Sequence, residues 1–408
     1  MSAPHEHPHA HPHRSGRLWP AYLASFTFML GQWSCGVAVP LLVVAQGGTL
    51  AEAGIIAAIR FGLGAVFSLP FGAVADAWGT RRTLFTSIAG NAAVNLVPLL
   101  AVAGAGVAPL YVWAVLSGLT SSLFLPANGA YVAGTARPEA RGSAFGWVTL
   151  ATHSGVAAGP AIGGLVWDTY GQAPTFLVAV ALGSVALVAP AFVPATIRTR
   201  VDLRGLPAMI GVVARDRVIV GSWVAALAIG LPWGAVSGLF PLFATSIGVS
   251  AGAAGLLLGL QSLTNGASRV PLGRFIDRRS LPPLAAAGGA LGYVALNALL
   301  GFQSGPIGIA LIFIGGIVAL AFTLMLVQVT ISARAPAELR ATGLGGYSTF
   351  LSAGLGIGPF IAGAVAEPFG FGIGFAAAAA AGLVAVVVAA VLLAGPRGPY
   401  AGARNSAS

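Results

Sequence analysis

The chain has 408 residues, of which 57% are hydrophobic and only 7% charged, and its mean hydropathy is +0.89. A soluble domain carries roughly 25% charged residues, so composition excludes a water-soluble fold; it also excludes a disordered chain, which needs low hydrophobicity. The net charge of +10 rests on arginine alone, because the sequence contains no lysine, and what remains is a polytopic membrane protein.

A polar tail, residues 1–17, opens the chain. It holds five alternating histidines, His5, His7, His9, His11 and His13. Such a tract suits a transition metal, or it is simply a solvated tail, since its prolines and spacing give no preformed geometry. A hydrocarbon core of ~30 Å needs about 20 apolar residues per helix. Runs of that length are predicted at 19–45, 51–75, 83–105, 108–134, 142–167 and 172–196. The first is too long for a cleavable signal segment. The stretch Thr196 to Arg217 is rich in Arg and Asp and reads as a linker. Six further runs follow at 218–247, 250–275, 281–303, 306–333, 341–366 and 370–395, and a short polar tail closes the chain. The runs lack the alternation of barrel strands. The expected fold is therefore all-α, with twelve transmembrane helices in two sets of six. The domains are 18–196 and 218–396, joined by 197–217, with a C-terminal tail at 397–408. The lone cysteine, Cys35, permits no intramolecular disulfide.

Arginine position sets the expected topology. Every second turn, starting from the N-terminal side, carries Arg: Arg14 and Arg17, Arg81 and Arg82, Arg137 and Arg141, the linker, Arg274, Arg278 and Arg279, Arg334 and Arg340, Arg397 and Arg404. The alternate turns carry none, only Glu52, Asp168 and Glu367. The positive-inside rule then places both termini in the cytoplasm of a plasma membrane protein. Loop arginines meeting lipid head groups account for the positive total without any nucleic-acid partner.

The two halves repeat one another. Pro40-Leu41 recurs as Pro241-Leu242, and Pro70 to Asp76 as Pro271 to Asp277, both displaced by 201 residues. Arg141, Gly146, Gly155, Gly159-Pro160 and Gly164 recur as Arg340, Gly345, Gly354, Gly358-Pro359 and Gly363, displaced by 199. Parallel repeats of this kind place a pathway between the halves near the midplane.

With Gly72-x-x-x-Asp76-x-x-Gly79-x-Arg81-Arg82 between helices two and three, the chain resembles the major facilitator superfamily over about residues 18–396. Helix five carries a second motif, Gly146, Gly155, Gly159-Pro160 and Gly163-Gly164, which resembles the superfamily's antiporter motif. Gly155, Gly159 and Gly163 are four apart and make a smooth face for close helix packing; Pro160 can bend the helix. The resemblance implies a secondary transporter working by alternating access. It implies that Gly72, Asp76, Gly79, Arg81 and Arg82, with the looser copy Gly273, Asp277 and Arg278, form a cytoplasmic gate, and that the antiporter motif marks proton-coupled efflux. No cofactor is implied, and a monomer in contact with lipid is expected.

Three ionisable residues fall well inside helices, and such residues are functional candidates by default. Arg60 lies in helix two, and its repeat mate is Gln261. A buried guanidinium wants an anion or several carbonyls, so Arg60 either meets the substrate or is satisfied by helix carbonyls or by Glu52. His153 in helix five is a candidate proton carrier, or a hydrogen-bonded structural group. Arg269 lies one turn before Gly273, where it snorkels or joins the inner gate. Gln32, Asn128, Gln261 and Gln328 are further pathway candidates, or glue between helices. No Asp or Glu is expected at a similar depth. That departs from exporters of cationic drugs and favours a small neutral or anionic amphipathic substrate. Uptake of a small organic anion, a metal-responsive sensor and a membrane-embedded enzyme are the competing readings. For the last, Gly248-Val249-Ser250-Ala251-Gly252 fits G-x-S-x-G but lies at a turn between helices.

Overall fold

The computed structural model describes residues 17–137, 140–194, 206–279, 281–336 and 339–394. The histidine tail lies outside these residues, as do the C-terminal tail and residues 195–205 of the linker. The side chains of Gly72 and Asp76 lie outside them too.

The N-terminal half comprises α1 (Trp19–Ala45), α2 (Leu50–Trp78), α3 (Thr80–Val94), α4 (Ala108–Thr135), α5 (Arg141–Tyr170) and α6 (Gln172–Ser184). Further helical turns carry α3 on to Ala105 and α6 on to Phe192. The C-terminal half comprises α7 (Arg217–Ser246), α8 (Ala251–Arg278), α9 (Ala285–Ala298), α10 (Pro306–Arg334), α11 (340–369) and α12 (371–393). The last two follow one another through Gly370, whose φ of 83° breaks the helix. Gly171, at φ 85°, ends α5 in the same way. Left-handed φ costs glycine little because it has no Cβ, and the two glycines are displaced by the 199 residues of the repeat.

Among the described residues, nine helices are long and apolar enough to cross a membrane, one of them spanning Thr342–Leu393. Dividing that one at Gly370 and adding α5 and α8 gives twelve. These two reach 30 and 28 residues but are diluted by Gly, Ser, Thr and charged positions. They are also one of two pairs that face each other across the halves, the other being α2 and α11.

The turns joining α1 to α2, α5 to α6, α7 to α8 and α11 to α12 lie on one side, here the Arg-free side; the start of α1, the end of α12 and the described arginines other than Arg60 and Arg269 lie on the other. Core packing differs between the two sides. At the Arg-free side one apolar cluster runs across both halves, including Val39, Ile56 and Trp113 from the first and Leu239, Phe240 and Phe313 from the second. At the Arg-rich side each half has its own cluster. One is built around Phe28 and Phe124, whose rings stack at 4.0 Å, and the other around Trp223 and Tyr293. The halves are thus joined at the Arg-free side and separately packed at the Arg-rich side.

The linker is not polar throughout. Leu206–Val213 forms a short apolar helix, and Val213 is buried in the C-terminal cluster. Asp216 then starts α7. It is fully buried, accepts from the Val218 and Ile219 amides at 2.9 and 3.3 Å, and takes the Arg334 Nε at 3.0 Å. One carboxylate therefore caps α7 and ties it to the end of α10. Truncation would leave a partly buried guanidinium and two helix amides without their acceptor. Asp216→Ala should destabilise the protein by about 2–4 kcal/mol, and Asp216→Asn, which keeps an acceptor, by less. Thermal unfolding in detergent checks this; an Asp216→Ala protein that melts with the wild type would show that the pair contributes nothing.

Candidate functional site

The first four amides of a helix have no partner within the helix. At α2, Thr49 accepts from the Glu52 amide at 3.1 Å, and Glu52 accepts in return from the Thr49 amide at 2.9 Å. The Leu50 and Ala51 amides are satisfied from the other half: both donate to Oε2 of Glu367, at the end of α11, at 2.6 and 3.3 Å. The same construction recurs at α8. Ser250 accepts from the Ala253 amide at 3.2 Å, while the Ala251 and Gly252 amides donate to Asp168, at the end of α5, at 3.2 and 2.7 Å. Each carboxylate also complements the positive end of a helix dipole. Sequence analysis noted Asp168 and Glu367 only as loop acids. Their separation of 199 residues, the offset of the second repeat block, was the available signal. The Ser250 hydroxyl of the G-x-S-x-G match is a helix cap, with no histidine partner at hydrogen-bond distance among the described residues.

Inward from these clamps the halves meet through glycines. Gly164 abuts Ala251, Gly255 abuts Pro160, and a Cβ on Gly259 would lie 2.7 Å from the Ala157 carbonyl oxygen. On the other flank, Gly54 abuts Pro359, and a Cβ on Gly356 would lie 2.7 Å from the Gly62 Cα. The antiporter-motif glycines divide the work: Gly155, Gly159 and Gly163 seat α5 on α1, at Phe26, Leu30 and Ser34, while Gly164 meets the opposite half. Continuing the α5 and α8 contact stripes toward the Arg-rich side by three- and four-residue steps, Gly146 and Gly266 face open space. The two helices touch near the Arg-free side and part toward the Arg-rich side.

At this level of the bundle the candidate residues fall into two groups. Arg60 is 8% exposed and donates from Nη2 to the Gln32 carbonyl oxygen at 3.3 Å. Its guanidinium lies 5.0 Å from the Trp113 ring, 5.2 Å from Phe61 and 5.9 Å from Trp33, an aromatic cage suited to a desolvated cation. Beside it is a small pocket between the halves, lined by Val39, Ile56, Trp113, Ser237 and Gly238 among others. Glu52 is not its partner, being engaged by Thr49 and, at 3.4 Å, by the Tyr111 hydroxyl. Gln32 donates to the Ser121 hydroxyl, and Asn128 donates to that of Ser25 at 2.7 Å. Both tie α1 to α4, as interhelical glue would.

The second group lies toward the Arg-rich side. His153 continues the α5 stripe one turn beyond Ala157, within electrostatic range of Arg269 on α8. Tyr347 on α11 is in range of the same guanidinium and accepts from Gln328 Nε2 of α10 at 3.0 Å. The Arg269 Nε is buried and has no hydrogen-bond partner. Helical side chains lean toward their own N-terminus, which for α8 is the Arg-free side. Arg269 therefore leans back between the halves, toward His153 and Tyr347, where the sequence left open either snorkelling or a place in the inner gate. Asn265 and Gln261, one and two turns closer to the Arg-free side on the same face, are buried.

Of the expected inner gate, Gly79 ends α2 at φ 83°, and Arg81, Arg82, Asp277 and Arg278 are all exposed. The one ion pair among the described residues, Arg334 with Asp216, lies within the C-terminal half. On this side no described ion pair joins the halves.

Two parallel six-helix repeats that close on one side through pseudo-symmetric contacts constitute a recognisable architecture, and comparison with known proteins decides which. The sequence matches the Major Facilitator Superfamily profile over residues 21–345 and 222–408. The chain belongs to the Major Facilitator Superfamily. Among solved structures it is similar to a bacterial homologue of the human lysosomal transporter Spinster in an inward-facing, unoccupied conformation. That match has a TM-score of 0.73 at 14% identity and covers 94% of this chain and 97% of that one. It is also similar to the nucleoside transporter NupG, with a TM-score of 0.73 at 14% identity, covering 92% and 99%. A D-xylose–proton symporter gives a TM-score of 0.73 at 15% identity, covering 91% and 96%. At these identities the likeness is one of fold. No curated protein matches the sequence. Membership makes this chain a multi-pass membrane protein and a secondary transporter rather than an enzyme. Within the superfamily's architecture, the splayed Arg-rich side is the side from which the interface between the halves is accessible here.

Proposed function

We propose that this superfamily member exports a small neutral or anionic amphipathic molecule across the plasma membrane in exchange for protons. The observation that carries the reading is the sign of the charges between the halves. Arg60, His153 and Arg269 are basic, and among the described residues no carboxylate lies at their depth. A second positive charge ~6 Å from a guanidinium is repelled by about 3 kcal/mol at an effective dielectric of 20. A cationic substrate would have to overcome that, whereas a carboxylate, phenolate or carbonyl is attracted.

In this reading the termini are cytoplasmic, residues 18–196 and 218–396 rock against each other as units about the linker, and the protein works as a monomer. Substrate enters from the Arg-rich side, passing Gln328 and Gln261. Arg60 is the fixed charge that rejects cations at the closed end. His153 carries the exchanged proton. When the Arg-free side opens, Asp76 with Arg81 and Arg82, and Asp277 with Arg278, close the opposite side. Export is supported by the antiporter motif, whose Gly155, Gly159 and Gly163 hold α5 firmly on α1 while Gly164 remains at the moving interface.

Flux into inverted vesicles tests this with three probes of one shape: 2-naphthoate, 2-naphthamide and 2-naphthylmethylammonium, with and without a proton gradient. Gradient-dependent accumulation of the first two is expected, with the ammonium excluded. Arg60→Lys, which keeps the charge but loses the fork, should lower flux without admitting the ammonium, whereas Arg60→Gln should narrow the discrimination at least tenfold. Accumulation of the ammonium alone by the wild type would overturn the reading.

A further inference from the structure

We propose that Arg269, with Tyr347 and Asn265, forms an oxyanion seat for the head group of a carboxylate substrate when the Arg-rich side is open. The inference rests on the transport reading above and adds to it a seat distinct from Arg60. Four helices bring polar groups to this place: α5 with His153, α8 with Asn265 and Arg269, α10 with Gln328 and α11 with Tyr347. In a bundle this apolar, such a convergence needs a reason.

Two of these groups are incomplete. The Arg269 Nε is buried without an acceptor, and the Oδ1 of Asn265, a residue only 3% exposed, is buried without a donor. They are four residues apart on α8 and so share one face. Tyr347 receives the Gln328 amide, which leaves its hydroxyl proton free to donate outward. The seat thus offers a guanidinium and a phenol hydroxyl as donors and one amide oxygen as acceptor. A carboxylate accepts from the guanidinium fork and the phenol. A hydroxyl or amino group next to it would meet Asn265. A purely apolar molecule would leave every one of these groups unsatisfied, at a cost for each.

Arg60 is differently placed. It already has a carbonyl acceptor and three rings around it, and it lies in the half of the interface that is closed here. Arg269 is on the accessible side. A substrate arriving from the Arg-rich side would therefore meet Arg269 first.

Equilibrium binding to the purified protein, read by tryptophan fluorescence, separates the possibilities with 2-naphthoate and its uncharged isostere 2-naphthamide. Wild type should bind the carboxylate at least tenfold more tightly than the amide. Arg269→Gln should erase that ratio, Arg269→Lys should retain part of it, and Tyr347→Phe should reduce it a few-fold. Arg274→Gln, an exposed arginine five residues on, should leave it unchanged. Each variant is first shown to be monodisperse with an unaltered melting temperature; should Arg269→Gln fail this, Tyr347→Phe and Arg269→Lys carry the test. A wild-type ratio near one, or a ratio unchanged in folded Arg269→Gln, overturns the seat. If the vesicles nonetheless accumulate naphthoate and naphthamide, the transport reading stands without it. If they accumulate only the ammonium, both fail.

Discussion

Gly255→Leu is expected to abolish transport while leaving the protein inserted and folded. Gly255 sits where α8 crosses α5, and its backbone rests on the carbonyl of Pro160 and the Cα of Ala161. The obstacle to any added side chain is backbone, and Pro160 lies within α5, already seated on α1 through Gly155, Gly159 and Gly163. A leucine therefore cannot be absorbed by a rotamer change, because interiors packed this closely have no void to receive it. Closing the Arg-free side would mean driving the two helices apart by the width of a side chain, and the protein should remain open on that side. A cysteine at Ser237, which lines the pocket between the halves, reports this when the buried Cys35 is replaced by serine. A membrane-impermeant maleimide should label Ser237→Cys slowly in the parent and at least tenfold faster in the Gly255→Leu background. Gly288→Leu, where nothing lies within 4 Å, controls for insertion and should transport normally. Wild-type flux in Gly255→Leu would mean that α5 and α8 do not approach as closely during transport as they do here.

Gly255 carries no signal of its own in the sequence, although part of its setting does. The twelve runs, the two sets of six and the 199- and 201-residue offsets were legible because length and hydropathy act locally, and because a repeat preserves spacing. The α5 glycines were legible as a packing face for the same reason. Which neighbour each glycine meets was not. Gly159 and Gly164 are five residues apart, yet one packs within its half and the other across the interface. That distinction depends on how the halves are docked, which no single helix encodes. Arg60 was legible as a buried charge, but its three-ring cage draws on α1, α2 and α4. For Arg269 depth alone left two alternatives, snorkelling or the inner gate; the lean of helical side chains toward the helix N-terminus is what adds an inward direction. The histidine tract remains an expectation, since it lies outside the described residues.

The glycine contacts set how closely the halves can approach, but they favour neither state strongly, since lipid tails and protein interiors are similarly apolar. Polar contacts that exist in one state only must supply the bias. Among the described residues, the contacts of this kind that cross the interface are the two carboxylate clamps at the Arg-free side. The separate clusters at the Arg-rich side allow each half to move without disturbing its own core.

Replacing both clamps, Asp168→Asn with Glu367→Gln, is expected to shift the protein toward the state open on the Arg-free side. Each carboxylate fills two amide positions of a helix in the other half, and opening would hand those amides to water. Because Asp168 and Glu367 are exposed, solvent screens them, and each clamp should be worth only about 1 kcal/mol. Two clamps acting together amount to about 2 kcal/mol, roughly a thirty-fold change in the ratio of the two states. Complete loss of one clamp corresponds to about a five-fold shift; the single amide substitutions should each shift the ratio by less than that and combine additively, because the clamps sit on opposite flanks, one on α5 and α8, the other on α2 and α11. Spin labels at the Arg-free ends of α1 and α7 give the distance distribution directly. A double variant with the wild-type distribution would show that these hydrogen bonds follow closure without stabilising it. A shift in the double variant far beyond the sum of the singles would mean that the flanks open as one cooperative unit. Because the neutral amides can still accept from the helix N–H groups, part of each bond survives in this pair. Asp168→Ala with Glu367→Ala, which removes the acceptors altogether, should therefore shift the ratio further in the same direction.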